Sequence, residues 1–203
     1  MIRPANGQRT RVRTRVGRLG GVLGRSGRVI AVAVATASLA CGCGLVGGPR
    51  TVLEDVPLVM TVSGQQFSRN VMPLTNTCHG AGTSPAIDWS GAPPGTKSLA
   101  LVVDDSSAPI TPYIYWIVFD IGPQTTGLLD GQVPPGARQA HNSRGTVGYD
   151  PPCPRNSSHG YRFTVYALSN ELRLPGGTSE KAAWTAIAQA AIARGTYTAI
   201  ANP

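Results

Sequence analysis

The first forty residues contain no aspartate or glutamate, although they hold eight arginines. From residue 41 onward basic and acidic residues balance, ten of each, so the formal net charge of +8 belongs to the leader. That placement removes nucleic-acid binding as a reading of the remaining chain. Long apolar runs are also missing. The stretch at residues 29–40, VIAVAVATASLA, has only twelve uncharged residues. As a helix it spans about 18 Å, against a hydrocarbon core of roughly 30 Å, which argues against a transmembrane helix. No two arginines are adjacent and no G-x-S-x-G elbow occurs, so neither a twin-arginine signal nor an α/β-hydrolase nucleophile is supported. The four cysteines form no C-x-x-C pair and the three histidines no H-x₃-H pair, so a zinc site is not expected. Internal repeats are absent as well. Charged residues make up only 14% and aromatics 6%, with every aromatic after residue 66.

Glycine and proline, by contrast, are plentiful at 25 and 17, which favours many turns and a β-rich architecture. A basic stretch, a short apolar run and then Ser38-Leu39-Ala40 has the layout of an export signal ending at a small-x-small cleavage site. Cys41 follows directly. It resembles the lipidated cysteine of the bacterial lipobox, although the leucine stands two positions before it rather than three; Cys43 is the alternative. The basic stretch is long for a signal, so a start near Val16 or Val22 is also compatible. The expected organisation is a signal over 1–40, a tether over 41–56 and one domain over 57–203. The expected location is the outer side of the cell membrane by a lipid anchor, with secretion as the alternative.

Within the domain, 58–62 is an expected first strand, and 73–97 is turn-rich. The run SLALVV at 98–103 suits a strand buried on both faces. Residues 113–121 (YIYWIVFDI) are aromatic and β-branched, and 122–160 read as long loops. In 162–168, Phe163, Val165 and Ala167 share one face. One amphipathic helix is expected at 179–194, from Trp184, Ile187, Ala188, Ala191 and Ile192, capped by Ser179 or Thr178 and closed by Gly195. A closing strand follows at 195–198.

Three segments in order resemble the phosphatidylethanolamine-binding protein family, in its bacterial Raf-kinase-inhibitor-like branch. Cys78-His79-Gly80, Ser84-Pro85 and Asp88–Pro93 are similar to C-x-G…SP…W-SGAP. Residues 98–109 and 113–120 resemble the strand, D-P-D-A-P turn and F-V-H-W strand. Gly148-Tyr149, Pro152-Cys153-Pro154, His159, Tyr161 and 163–168 resemble G-Y-G-G-P-C-P-P…H-R-Y-x-F-T-x-Y-A-L. The resemblance implies a Greek-key β-sandwich of two antiparallel sheets with peripheral helices. It also implies a small surface pocket for anionic groups such as phosphate or a phospholipid headgroup, with no cofactor and no catalytic residue. The implied ligand-binding residues are Asp105, Tyr115, Cys153, Pro154, His159 and Tyr161. Ser107 replaces the second acid of the turn, Tyr115 the pocket histidine, Gly160 the arginine of H-R-Y, and Asp150-Pro151 the paired glycines. His159 and Tyr161 would donate to an anion, and Asp105 would hold the His159 tautomer. With an acid and a histidine lost, a weaker or differently selective site is expected.

Cys78 and Cys153 lie in family-type loops, and export favours a disulfide between them, with free thiols or zinc ligation with His79 and His159 as the alternatives. Ser106 and Ser107 beside Asp105 suggest a hydrolase only weakly, since a turn offers no evident oxyanion hole. The rival functional reading is a protein-interaction or protease- or kinase-inhibitor module, which an exposed apolar patch around Pro112, Tyr113 and Tyr115 would favour.

Overall fold

The structure, a computed structural model, describes residues 56–107 and 112–203. The leader, Cys41, Cys43, all of the tether but Val56, and the Ala108-Pro109 pair lie outside these residues. Eight strands are described: β1 (Thr61–Ser63), β2 (Ile87–Ser90), β3 (Ser98–Asp105), β4 (Ile114–Ile121), β5 (Gly127–Leu128), β6 (Arg138–Gln139), β7 (His159–Leu168) and β8 (Ala191–Ala201). A helix, α1 (Glu180–Ala190), precedes β8, and two short 3-10 turns cover Ser68–Asn70 and Leu74–Asn76. The strands form a five-stranded sheet, β6-β4-β3-β7-β8, and a three-stranded sheet, β1-β2-β5, both antiparallel.

β3 is central to the larger sheet and buried along its whole length. Its side chains alternate between two cores, as a pleated strand requires. Leu99, Leu101 and Val103 join Phe163 and Val165 of β7 in a core shared with Val62, Ile87, Trp89 and Leu128 of the smaller sheet. Ala100 and Val102 point the other way, toward Ile117, Tyr166, Leu168 and the α1 residues Ala183 and Ile187. The continuous apolar run therefore has a simple cause: one face meets the second sheet and the other meets the helix.

The first strand begins later than expected. Leu58 is 61% exposed and makes a single parallel bridge to Arg194, whereas the ladder with β2 occupies Thr61–Ser63. The helix is also shorter than its apolar stripe suggests. Ser179 caps it by accepting from the Ala182 N–H at 3.3 Å, but Ala191 is already extended. From there the chain pairs with β7, Ala191 opposite Leu168 and Arg194 opposite Tyr166. A ladder with a neighbour outweighs the weak intrinsic preference of these residues for helix. Gly195 is thus a strand residue facing Val165, not a helix-closing glycine. A Cβ there would lie 2.5 Å from the Met60 carbonyl oxygen, so what it supplies is room for close passage of another backbone. The stretches expected to be turns and loops contain β2, the two-residue strands β5 and β6, the Leu74–Asn76 turn and the first two residues of β7, His159 and Gly160.

Candidate functional site

Three adjacent strands bring the site together at one end of the larger sheet. Asp105 ends β3 and pairs with Tyr161 of β7, while His159 begins β7. β4 contributes Tyr115 at a bulge, because Val103 faces Trp116 but Asp104 faces Ile114. The extra residue lets Tyr115 and Trp116 both turn toward the inter-sheet core, which strict alternation would forbid.

His159 Nδ1 lies 3.0 Å from Asp105 Oδ2. The Asp105 side chain is 10% exposed and that of His159 is 38% exposed, so the acid is the buried, orienting partner. Its second oxygen, Oδ1, accepts the Ser107 N–H at 2.8 Å. With Nδ1 turned to the carboxylate, Nε2 is the ring nitrogen left for a ligand.

Below the histidine, tyrosines form a row. Tyr161 lies 6.4 Å from the His159 ring between centroids, Tyr115 meets Tyr161 edge-on at 5.1 Å, and Tyr113 tilts against Tyr115 at 4.6 Å. The Tyr115 and Tyr161 rings are thus in direct edge-on contact. Burial first, then the Asp105 charge, pushes the Tyr161 phenol up to about 12. Tyr115 is raised further, by burial and then by Tyr161 and Asp105. Both are neutral donors at ordinary pH.

Asp105, Tyr115 and His159 are therefore assembled, whereas the side chains of the other three expected residues are placed differently. Tyr161 is only 1% exposed and packs edge-on against Tyr115, so it forms the floor rather than the lining. Pro154 is buried and has no N–H. Cys153 is bonded to Cys78, S–S 2.02 Å across 75 residues, and offers no thiol.

The two departures from the family pattern at Ser107 and Gly160 touch one another. The Gly160 N–H donates to Ser107 Oγ at 3.0 Å, and the Ser106 hydroxyl donates to the Gly160 carbonyl at 2.8 Å. The Ser106 N–H donates to that same carbonyl at 2.9 Å. A Cβ on Gly160 would stand 2.7 Å from Ser106 Oγ. The serine pair thus grips the backbone of the residue where the family carries an arginine. The Ser106 and Ser107 hydroxyls are turned to Gly160, so neither of these two serines is aligned with the imidazole as a nucleophile.

A second polar group at the site was not singled out in the sequence. Asp150, 4% exposed, accepts the Tyr113 hydroxyl at 2.8 Å and pairs with Arg144 at 2.8 Å. Its N–H donates to the Tyr115 carbonyl at 2.9 Å, which ties this loop to β4. The available signal was an acid in place of a loop glycine: a buried carboxylate needs partners, and Arg144 stands six residues before it. Pro112, Tyr113 and Tyr115 are all only half-exposed, so they do not form an exposed apolar patch.

Comparison with known proteins shows the family and the fold. The family model described as phosphatidylethanolamine-binding protein matches residues 63–202. A UPF0098 protein of Methanothermobacter thermautotrophicus is 41% identical over 118 residues, 56% of this chain and 78% of that protein. A Mycobacterium tuberculosis protein named "Putative lipoprotein LppC" is 42% identical over 135 residues, 65% of this chain and 67% of its own length. Among solved structures, the phosphatidylethanolamine-binding protein homologue CT736 of Chlamydia trachomatis superposes with a TM-score of 0.64 at 32% identity, covering 70% of this chain and 96% of that one. Escherichia coli YbcL gives a TM-score of 0.64 at 28% identity, covering 71% and 98%.

Proposed function

The chain belongs to the phosphatidylethanolamine-binding protein family, and from that membership we propose an exported, lipid-anchored binding protein whose site takes an anionic or phosphorylated group. The observation that carries this reading is the His159 Nδ1 to Asp105 Oδ2 contact of 3.0 Å. It fixes the imidazole and leaves Nε2 for the ligand. When the ring holds its second proton, Nε2–H is a charge-assisted donor to phosphate or carboxylate. Because Tyr115 is a neutral phenol, His159 is the one group able to bring positive charge to the anion, and the site binds anions weakly compared with one carrying a second histidine.

Binding rather than catalysis is the better reading, since the Ser106 and Ser107 oxygens are engaged with the Gly160 backbone. The anchor reading rests on the basic-apolar leader ending at Cys41, with Cys43 as alternative, and on the lipoprotein name of the mycobacterial relative. Among the described residues no helix is long and apolar enough to cross a membrane.

An NMR titration with phosphoethanolamine and with inorganic phosphate tests the site, with His159→Ala as control. Saturating shifts at His159 and Tyr115 that vanish in the variant are expected. A flat titration at millimolar ligand would overturn the small-ligand reading and point to a protein partner.

A further inference from the structure

The disulfide carries a second ligand group beside it. Cys78, His79 and Cys153 each offer one ligand atom, and all three atoms lie within 4.8 Å of one another. All three residues are exposed. Two thiolates and an imidazole are the donors zinc prefers, and a three-residue set leaves a fourth position for water. Tetrahedral zinc, with Zn–S near 2.3 Å and Zn–N near 2.0 Å, holds its ligand atoms about 3.5–3.8 Å apart. Reaching that spacing from the present one needs movements on the order of 1–2 Å, within the reach of exposed side chains.

Opening the bond need not release the loops, because other contacts hold them. The Cys78 N–H donates to the Pro152 carbonyl at 2.9 Å, and the Tyr149 hydroxyl donates to the Asn76 carbonyl at 2.7 Å. Tyr149 in turn packs edge-on against buried Trp116 at 5.6 Å. His79 is set by its own turn, where its N–H donates to Thr77 Oγ1 at 3.2 Å and the Gly80 N–H to the Thr77 carbonyl at 3.1 Å. Hydrogen bonds and ring packing thus hold the ligand residues in addition to the sulfur–sulfur bond.

We propose that Cys78, Cys153 and His79 form a redox-gated zinc site, closed as a disulfide and open to Zn²⁺ when reduced. A dithiol reductant gives two electrons and two protons to the Cys78–Cys153 bond and leaves as its own disulfide. Each thiol then loses a proton to solvent as its sulfur ligates Zn²⁺, His79 ligates through one ring nitrogen, and water completes the tetrahedron. The linear spacing of the cysteines hides this set, since Cys153 arrives from 75 residues away.

The test is an anaerobic Co²⁺ titration of the full chain carrying Cys41→Ser and Cys43→Ser, which removes the two thiols outside the site, oxidised and after reduction and removal of the reductant, followed by Zn²⁺ competition. One Co²⁺ per reduced chain is expected, with thiolate-to-cobalt charge-transfer absorption and tetrahedral d–d bands that Zn²⁺ abolishes. The oxidised protein and the Cys78→Ser/Cys153→Ser variant should give neither. His79→Ala should keep the thiolate bands but bind at least about tenfold more weakly, the loss typical of disturbing a ligand's support. Uptake no greater than that of the oxidised protein would overturn the proposal. So would unchanged affinity in His79→Ala, or loss of the near-ultraviolet circular dichroism of the reduced chain before metal is added.

Discussion

The serine grip on Gly160 sets the shape of the site, and a double-mutant cycle can measure it. In Gly160→Ala the new Cβ stands 2.7 Å from Ser106 Oγ, 3.4 Å from Thr198 Cγ2 and 3.7 Å from Ser107 Oγ. Only the first contact is prohibitive. Ser106 must rotate, and its hydroxyl then loses the 2.8 Å hydrogen bond to the Gly160 carbonyl. One such bond is worth about 0.5–1.5 kcal/mol net, and its exposure favours the lower half of that range. Against this, replacing glycine by alanine in extended backbone gains about 0.4–1 kcal/mol by restricting the unfolded chain. The single variant should therefore be close to neutral. In a Ser106→Ala background the obstructing oxygen is gone and only the gain remains, so the same replacement should stabilise by about 0.4–1 kcal/mol. Urea unfolding of the four proteins gives a coupling energy, with an expected value of about 0.5–1 kcal/mol. A coupling within about 0.3 kcal/mol of zero, inside the usual additivity error, would refute the reasoning.

Three further outcomes follow from the structure. Gly195→Ala places a Cβ 2.5 Å from the Met60 oxygen and 2.8 Å from its carbonyl carbon, both backbone atoms that cannot rotate away; urea unfolding should show a loss of more than about 2 kcal/mol. Cys78→Ser/Cys153→Ser opens a loop with a sequence separation of 75, and chain entropy sets the stability loss in denaturant unfolding at roughly 4–5 kcal/mol. Burial raises the Tyr161 phenol to about 12 and that of Tyr166 to about 12, from 10.0. Above pH 10 the unfolded chain binds fewer protons than the folded one, so stability should fall as pH rises from 10 toward 12, and alkaline melts followed by circular dichroism check it. A flat profile across that range would contradict the burial of these hydroxyls.

The sequence alone determined the central strand buried on both faces, and it determined the outline of the site. Ser98–Val103 carries its burial in composition, because a central strand between two layers has no polar face to show, whereas 162–168 showed only one apolar face and the helix layer decided the burial of Tyr166 and Leu168 on the other. Asp105, Tyr115 and His159 were legible through ordered motifs, each of which stands where a strand begins, ends or bulges. Tertiary structure alone decided the rest. The residues at 191–194 complete a helical stripe, but β7 offered them a ladder, and pairing with partners as distant as Leu168 and Tyr166 is invisible to local periodicity. Gly160 and Ser107 look like two separate losses in the sequence and are one hydrogen-bonded unit in space. Asp150, Arg144 and Tyr113 meet only because the loop before β7 folds back onto β4. The same folding brings Cys153 to Cys78 and His79. The physical reason is common to all of these: a polar side chain's role depends on which partner removes it from water, and that partner comes from a distant strand or loop.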